Sequence, residues 1–394
     1  MFAIKRELKL NNKERSLMRG IAGFKRFVYN YALSIITASW DFEDIQAGDN
    51  KRLDAIKKVL TQVTMKKPEY AWMKKYPSTV YQSAFRDLKK AFSRWREGVA
   101  EFPAKKSKKK GDSFTVYKTS GIYPEKGQPA LPFTNRVVIH PGKTIQLPGL
   151  KIFRLKERID FICSSQTFTV SRTADRWFVS FAINAQHNPP IYHPCEQVGL
   201  DLGVKCLATV SDGTCYAMPH TTKEAKTKLR KLQWRNRNKV LGNKKLGIVV
   251  SKNAKKYYIK LARDYALICN IRRDTIQKMT TDLSRRVYCI RIEDLNVAGM
   301  IANHKLASAI SDNCFYEVRR QLIDKQEHYG TKVEIVDRWF PSSKMCSKCG
   351  HIQAMKLSDR VFFCQKCNQT LDRDENAAIN LKNAPSKKVR SARS

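Results

Sequence analysis

Residues 198–213 have the sequence VGLDLGVKCLATVSDG, and this stretch sets the architecture of the second half of the chain. Its apolar run, glycine turn and second apolar run predict a buried strand followed by a neighbouring strand. Asp201 lies inside the first run, where burial of a charged group is costly without a partner. The stretch therefore predicts the core strand of a sheet with an acidic side chain built into it.

Two more acids follow the same logic farther along the chain. Glu293 ends the apolar strand predicted over RVYCIRIEDL, and Asp374 lies in LDRDENAAIN. Carboxylates that converge from different strands form an oxygen-rich site for Mg²⁺ or Mn²⁺. Two such ions about 4 Å apart can activate water for phosphodiester hydrolysis. The pattern thus indicates a metal-dependent nuclease site.

The alternative interpretation of each acid is structural. For an isolated acidic residue, a helix cap or a turn is the commoner role, and Asp294 and Asp372 are interpreted in this way. The sequence alone does not show that Asp201, Glu293 and Asp374 converge, so both interpretations remain open at this point.

Four cysteines near the C-terminus form two Cys-x-x-Cys pairs, Cys346 with Cys349 and Cys364 with Cys367. Four thiolates can enclose Zn²⁺ tetrahedrally, and the two-residue spacer lets one turn present both sulfurs. Because all four ligands come from the protein, we predict a structural zinc that folds the short segment 341–371. Chance pairing of buried thiols and a redox role are the alternatives. The other seven cysteines are predicted to be reduced core residues: Cys163, Cys195, Cys206, Cys215, Cys269, Cys289 and Cys314.

The charge of the chain points to its partner. Among 394 residues, 75 are Lys or Arg and 35 are Asp or Glu, a formal net charge of +40. Such an excess repels itself unless a polyanion neutralises it, so nucleic acid is the expected partner. An anionic membrane is the competitor, but the sequence shows neither a signal peptide nor an apolar run that could span a bilayer. We therefore expect a cytoplasmic protein, associated with the nucleoid when bound to DNA.

The first half of the chain alternates between strand-like and helical patterns. Residues 2–10 predict a strand, and the segment 13–96 predicts helices, one of which starts at residues 77–78. A basic loop at 103–112 precedes short strand-like runs that predict a small antiparallel barrel. The sequence Asn188-Pro189-Pro190, with two consecutive prolines, predicts a linker after it.

The second half predicts an α/β layer, because strand-like and helical segments alternate. Residues 221–245 carry ten Lys or Arg and a single acid at helical spacing, which predicts a basic helix. The Ser-, Lys- and Arg-rich tail from 384 to 394 is predicted to be disordered.

Four of these motifs, in this order, resemble the RuvC-type nuclease core of the TnpB family, which also occurs in type V CRISPR effectors: GLDLGVKCLATVSDG, IRIEDLN, WFPSSKMCSKCG and LDRDENAAIN. The zinc segment lies between the second and third acids. Five further motifs are similar to the family's: GFKRFVYNYAL, STVYQSAFRDLKKAF, FPAKKSKKKGDSF, IQLPGLKIFRLK and ASAISDNCFYEVRRQL. The resemblance covers most of residues 1–382.

The resemblance implies an α/β protein with a β-barrel and a helical insert. Its parts would be a RuvC/RNase H-like nuclease core, an oligonucleotide-binding-like barrel, a helical recognition domain and a zinc ribbon. The implied boundaries are 1–10 and 100–188 for the barrel, 11–99 for the recognition domain, 195–340 and 372–382 for the nuclease domain, 341–371 for a zinc-finger insert that binds target nucleic acid, and 383–394 for a basic disordered tail.

It also implies an activity. A family member is an RNA-guided DNA endonuclease that uses a guide RNA from a transposon end and cleaves double-stranded DNA beside a short adjacent motif. Asp201, Glu293 and Asp374 would be the catalytic acids and hold Mg²⁺ or Mn²⁺, and the four cysteines would hold Zn²⁺. The alternatives are a miniature type V CRISPR effector, a nuclease-inactive RNA-guided repressor, and a zinc-containing nucleic-acid-binding protein without a guide.

Candidate nucleic-acid contacts are cationic, aromatic or amide side chains. Gln82 lies on the helix that matches the family's motif-reading helix, and an amide can pair bidentately with adenine. Arg360 matches a family arginine and would touch the strand being cut, or else form a salt bridge with Asp359 or Asp372. Trp234 would stack on bases or pack within a helix pair. The remaining candidates are Ser78, Thr119, Lys105, Lys106, Lys108, Lys226, Lys228, Arg230, Lys231, Arg235 and Arg237.

Overall fold

The computed structural model describes residues 2–38, 49–108, 111–118, 136–183, 193–204, 206–242, 247–302, 310, 313–356, 359–385 and 389–391. The chain divides into two compact units, Met1–Ala185 and Gln186–Ser394. Each unit has a hydrophobic core of its own. None of the helices in the described ranges has both the length and the apolarity needed to cross a membrane.

The first unit combines helices with an antiparallel sheet. Its helices are α1 (Asn12–Ala38), α2 (Asp49–Gln62) and α3 (Ser78–Arg96), with 3-10 turns at Thr64–Lys66 and Pro68–Lys75. Its strands are β1 (Phe2–Leu8), β2 (Ser113–Tyr117), β3 (Val137–Ile139), β4 (Gly142–Gln146), β5 (Ile152–Ile159), β6 (Cys163–Ser165), β7 (Thr167–Thr173) and β8 (Arg176–Ile183). Six of them form an antiparallel sheet in the order β2-β7-β8-β1-β5-β4, and β3 pairs with β6.

Residue periodicity explains how these elements share one core. On β8 the side chains of Trp177, Val179 and Phe181 are buried and their neighbours are more exposed, so one face of the strand points inward. On α1 the buried apolar residues recur at three- and four-residue spacing, which turns one helical face into the same core.

A buried carboxylate ties the helices to the sheet. Asp112 is only 3% exposed, and its carboxylate forms ion pairs with Nη1 of Arg26 and Nη2 of Arg172, each at 2.9 Å. Arg26 lies on α1 and Arg172 on β7, so one acid crosslinks both elements. Loss of either arginine would leave a buried charge partly uncompensated.

Most expectations for this unit are confirmed. The strand within 2–10, the helices of 13–96 with a start at 77–78, and the succession of short antiparallel strands all occur in the structure. The linker expected at 188–190 lies outside the described residues.

The second unit is an α/β layer, as predicted. Its helices are α4 (His220–Arg235), α5 (Lys252–Arg286), α6 (Val297–Ala302), α7 (Phe315–Tyr329) and α8 (Arg373–Lys382). Its strands are β9 (Cys195–Asp201), β10 (Ala208–Val210), β11 (Cys215–Tyr216), β12 (Val287–Glu293), β13 (Lys332–Val336), β14 (Val361–Phe363), β15 (Thr370–Asp372) and β16 (Val389–Ser391). The main sheet has the order β11-β10-β9-β12-β13-β16, with β9, β12 and β13 parallel, and β14 pairs with β15.

Helix α8 packs unusually closely on the central strand β9. A Cβ atom added to Gly199 would lie 1.9 Å from the carbonyl oxygen of Ala378 and 2.4 Å from the backbone nitrogen of Lys382. Only a residue without a side chain permits this approach. The glycine of GLDLG is therefore a packing residue that sets the position of α8.

Two boundaries in this unit differ from the prediction. The basic helix predicted over 221–245 ends at Arg235, because residues 236–238 turn and the chain leaves the helical path. The tail predicted to be disordered contributes β16, which pairs antiparallel with β13. The unpaired backbone groups of an outer strand offer such a segment hydrogen bonds whatever its side chains.

The prediction that all seven remaining cysteines are reduced core residues was wrong. Cys206 and Cys215 form a disulfide bond. They flank the β10–β11 hairpin, where the Leu207 N–H donates to the Tyr216 carbonyl and brings the two segments together. Cys269 is exposed on α5, whereas Cys289 is buried and the others are partly buried: Cys163, Cys195 and Cys314.

We predict that Gly199→Ala lowers the free energy of unfolding by about 3 kcal/mol, since a methyl group would collide with the backbone of α8. The matched control is Gly23→Ala on α1, where the nearest atom to an added Cβ is 3.9 Å away. That change should be neutral or stabilise the helix by roughly 0.5–1 kcal/mol. Chemical denaturation measures both, and equal stability of the two variants would contradict the packing role of Gly199.

Candidate active site and metal centre

Asp201 and Glu293 end two neighbouring parallel strands. Asp201 is the last residue of β9 and Glu293 the last of β12, and the register pairs Leu200 with Ile292. The next residues of both strands therefore lie side by side at the carboxyl edge of the sheet, the edge where open α/β sheets bind ligands.

Asp374 reaches the same edge from the first turn of α8. The side chain of Asp372 caps this helix by accepting the N–H groups of Asp374 at 2.9 Å and Glu375 at 3.4 Å, which confirms its interpretation as a cap. A Cβ on Gly203 would lie 3.7 Å from Oδ2 of Asp374, so this carboxylate faces the turn that follows β9. Arg373 is its ion-pair partner at 3.3 Å.

The three carboxylates form one electrostatic cluster. Burial, followed by the negative charges of Asp374 and Glu293, raises the pKa of Asp201 to about 7 against the opposing charge of Arg373. Burial, followed by the charge of Asp294, raises the pKa of Glu293 to about 7. Shifts of this kind, from burial reinforced by neighbouring negative charge, are frequent at functional sites.

A buried amide supports the turn between these acids. Asn313, 4% exposed, donates from Nδ2 to the carbonyl oxygen of Gly203 at 2.8 Å. This bond holds the backbone beside Asp374.

The four cysteines predicted to bind zinc converge in the segment between β13 and α8. Their ligand atoms all lie within 4.8 Å of one another, and among the described residues they are the one group of three or more potential ligands gathered so tightly. The Sγ atoms of Cys346 and Cys367, and those of Cys349 and Cys364, are 3.6 Å apart. Zinc–sulfur bonds of about 2.3 Å in a tetrahedron separate sulfurs by about 3.8 Å, so the cluster fits Zn²⁺.

Each pair of cysteines sits on a matching turn. The N–H of Gly350 donates to the Cys346 carbonyl and that of Asn368 to the Cys364 carbonyl, both at 2.9 Å. Both residues have left-handed backbones, with φ of 71° and 54°. Gly and Asn tolerate this conformation best, which explains the motifs CSKCG and CQKCN.

Two asparagines of DENAAIN fasten the zinc segment to α8. Asn376 accepts the Ser347 N–H at 2.9 Å and donates to the Met345 carbonyl at 2.8 Å. Asn380 donates to the carbonyls of Ser342 at 2.7 Å and Met345 at 2.6 Å. Both asparagines are buried, and their spacing of four residues puts them on one helical face. The sequence reasoning missed this role, although that spacing was a usable signal.

The role of Asp294 was also missed. Its interpretation as a cap or turn residue was wrong, because its two oxygens bind Nη1 of Arg319 at 2.7 Å and Nη2 of Arg338 at 2.9 Å. These partners lie 25 and 44 residues away in the sequence, so no local pattern indicated them. They hold the pKa of Asp294 below its usual value.

One candidate contact of the first unit lines a cavity at the start of α3. Ser78 is exposed and lines this cavity of about 640 Å³, together with Tyr117 and Arg136. Gln82 is half-buried, and its amide oxygen accepts the Tyr117 hydroxyl. Thr119 lies outside the described residues.

The candidate lysines of the basic loop differ in their surroundings. Lys105 and Lys108 are exposed. Lys106 binds Asp87 at 3.3 Å and lies 4.0 Å from the centre of the Tyr29 ring, so its ammonium contributes to the packing of the first unit.

The candidates of α4 and its C-terminal extension form an exposed cationic face. Lys228, Arg230, Lys231, Arg235 and Arg237 are exposed and Lys226 is half-buried. Trp234 is 67% exposed, and Arg237 lies 4.6 Å above its ring. Trp234 is thus not packed within a helix pair. Arg360 is exposed and directly precedes β14 in the zinc segment.

Comparison with known proteins agrees with this arrangement. Family models named "Probable transposase" and "Cas12f1-like, TNB domain" match residues 180–304 and 315–381. A Streptomyces pristinaespiralis protein named "Putative RNA-guided DNA endonuclease" is 33% identical over 91% of this chain and 83% of its own length. The Escherichia coli (strain K12) protein "Putative RNA-guided DNA endonuclease InsQ" is 31% identical over 96% of this chain and 91% of its own. "TnpB-like protein L770" of Acanthamoeba polyphaga mimivirus is 26% identical over 62% of this chain and 48% of its own length.

A solved structure shows the same fold. The Cas12f1 chain in "Cryo-EM structure of the Cas12f1-sgRNA-target DNA complex" aligns with a TM-score of 0.56 at 16% identity, over 95% of this chain and 83% of that one. The chain therefore has a Cas12f1-like fold, with a TNB domain that contains the four-cysteine cluster. Its similarity to the curated relatives over nearly its whole length shows that it belongs to the TnpB family.

We predict that Asp201→Asn stabilises the metal-free protein. Because burial raises the pKa of Asp201, ionisation of this acid costs folding free energy as the pH rises from about 4 to 7, and the full cost persists above. In EDTA, the melting temperature of D201N should exceed that of the wild type by roughly 3 °C at pH 8 and match it at pH 4.

The control is Asp212→Asn. Against the effect of burial, hydrogen bonds from Thr214 and then from Arg286 lower the pKa of Asp212, so removal of its charge should destabilise the fold. A difference in melting temperature between D201N and the wild type that does not change with pH would contradict a raised pKa for Asp201.

We predict about one zinc per chain, held by the four cysteines, and its loss in Cys364→Ser together with a lower melting temperature. Cys269→Ser, which alters an exposed thiol on α5, is the matched control and should retain the metal. Elemental analysis and thermal unfolding measure both properties. Full zinc occupancy in C364S would rule out the four-thiol site.

Proposed function

We propose that this protein is an RNA-guided DNA endonuclease, which uses a guide RNA from a transposon end to cleave double-stranded DNA beside a short adjacent motif. The observation that carries the proposal is that Asp201 and Glu293 end paired parallel strands, while Asp374 in the first turn of α8 adds its charge to the surroundings of Asp201. Relatives of this name match the chain over almost its full length. The net charge of +40 supplies the attraction for nucleic acid.

Asp201, Glu293 and Asp374 would hold Mg²⁺ or Mn²⁺. Carboxylate oxygens are the ligands that these hard cations prefer, and the raised pKa values record the negative charge that a divalent cation would balance. When bound, such ions activate water and stabilise the leaving oxygen of a phosphodiester. The chain itself positions the acids, two at the ends of paired strands and one in the first turn of a capped helix. This preorganisation lowers the cost of assembling the site.

The fold supports a domain assignment. We assign the second unit's sheet to a RuvC/RNase H-like nuclease core, the antiparallel sheet of the first unit to an oligonucleotide-binding-like barrel, and α1 to α3 to the recognition domain. The boundaries are those implied by the family resemblance. The zinc segment 341–371 is the insert that binds target nucleic acid.

Recognition divides between the guide and the protein. Pairing with the guide would read the target sequence, whereas lysines and arginines hold the backbone of the heteroduplex. The exposed cationic face of α4 suits backbone contact, and Trp234 presents a ring on which a base can stack. In the first unit, Ser78 and Gln82 lie at or beside a cavity that suits contact with the adjacent motif.

The test is to express the protein with its native flanking DNA, sequence the RNA that co-purifies, and add Mg²⁺ with a plasmid library that places the matched target beside random flanks. We expect a discrete RNA and linear plasmid enriched for one flank. Asp201→Asn, Glu293→Gln and Asp374→Asn should each reduce cleavage by about 1,000-fold or more while RNA binding persists. Asp212→Asn, an exposed acid of the same unit, is the control and should cleave normally.

The outcomes separate the alternatives. Discrete RNA and specific DNA binding without cleavage would favour a guided repressor. Absence of a specific RNA would leave a basic zinc protein with no guide. An adjacent CRISPR array, in place of a transposon end, would identify a miniature type V effector.

A further inference from the structure

A cavity of about 260 Å³ opens beside Glu293 in the second unit. Apolar, cationic and acidic side chains line it together: Leu202, Glu293, Phe315, Tyr316, Arg319 and Arg338. Phe315 is buried at the start of α7, whereas Tyr316 is 69% exposed. We call this cavity the arginine pocket. It borders one proposed metal ligand directly and another through Leu202, which follows Asp201 in the sequence.

One carboxylate holds both arginines at the pocket. The side chain of Asp294 is 11% exposed and binds both guanidinium groups, while Arg319 and Arg338 remain 31% and 44% exposed. Each guanidinium has five N–H donors, and the contact with Asp294 engages only part of them. The pair of guanidinium groups carries one positive charge more than Asp294 neutralises, and it lies next to Glu293 in the lining of the same pocket. This arrangement suits an anion that enters from solvent.

The chemistry of the pocket matches one nucleotide. Guanidinium groups bind phosphate through planar, paired donors, and aromatic rings stack on bases of any sequence. The volume of 260 Å³ is below the range of about 300–1,000 Å³ typical of sites for drug-sized ligands, so the pocket has room for a single base. A small free anion would bind the arginines but would make no favourable contact with the apolar side chains of the pocket.

We propose that the arginine pocket binds one nucleotide of the DNA strand being cut, with its base against Phe315 and Tyr316 and a flanking phosphate on Arg319 and Arg338. Asp294 positions the two arginines. This inference rests on the proposed function, because it names where the substrate strand is held next to the catalytic acids. It explains why a solvent-accessible cationic pair lies beside a cluster of acids.

Kinetics of the full RNA-bound complex test the charge contact. We expect Arg319→Gln and Arg338→Gln each to raise KM for guide-matched DNA by about tenfold or more, with a smaller change in kcat. The matched control is Arg286→Gln, which also removes an arginine that bridges acids, Asp212 and Asp282, but lies outside the pocket. Its KM should stay within about twofold of the wild type, since its ion pairs are partly exposed.

A second variant tests the base separately from the charge. Ala298 lines the pocket on α6, and Ala298→Trp would fill it without removing a cation. We expect A298W to raise KM as the arginine variants do while it binds the guide RNA normally. Its melting temperature identifies a folding defect, and in that event the crosslinking below decides.

Crosslinking locates the nucleotide without any need for cleavage. In RNA-bound D201N, 5-iododeoxyuridine would replace each nucleotide of the target strand in turn, followed by irradiation and peptide mapping. We expect a crosslink to Tyr316 from one position or two adjacent ones, and its loss in D201N/A298W. Crosslinking to the guide RNA instead, or from no DNA position, would overturn the proposal, as would equal KM values for R319Q, R338Q and R286Q. If the wild-type complex does not cleave DNA, the proposed function fails, while this crosslink still decides the pocket.

Discussion

The close backbone contact between α8 and β9 is the constraint on which the candidate active site depends. Gly199 allows the carbonyl of Ala378 to approach a position that a side chain would occupy. The first turn of α8 thereby brings Asp374 to the strand end that carries Asp201. An acid distant in the sequence thus joins two acids on paired strands, and the mutual repulsion of the three is the cost of a site that a cation can relieve.

The zinc cluster is linked to this geometry through α8. Asn376 and Asn380 bind the backbone of the zinc segment on one face of the helix, and Asp374 lies in its first turn. A segment with few core residues of its own would gain its shape from a zinc ion held by the four cysteines. It is fixed to the helix that presents Asp374, one of the proposed catalytic acids. The motif LDRDENAAIN therefore combines a cap, an acid proposed to bind the metal and two docking amides in ten residues.

Residue patterns predicted the parts of this molecule more successfully than their contacts. Strand alternation and helical spacing located most elements, and the paired Cys-x-x-Cys spacing identified the four cysteines that cluster, because these signals are local. The resemblance to TnpB named Asp201, Glu293 and Asp374, but local physics left their convergence open, since it depends on packing across the sheet. The ion pairs of Asp294 with two distant arginines and the disulfide of Cys206 with Cys215 were not predicted, because they too depend on tertiary packing.

The central claim is that three acids from separate elements share one divalent-metal site. The most direct measurement is anomalous X-ray diffraction from crystals of the protein soaked in Mn²⁺. The account predicts manganese peaks among the carboxylates of Asp201, Glu293 and Asp374, and their disappearance in crystals of Asp201→Asn. Manganese bound elsewhere, or unchanged in the variant, would contradict it.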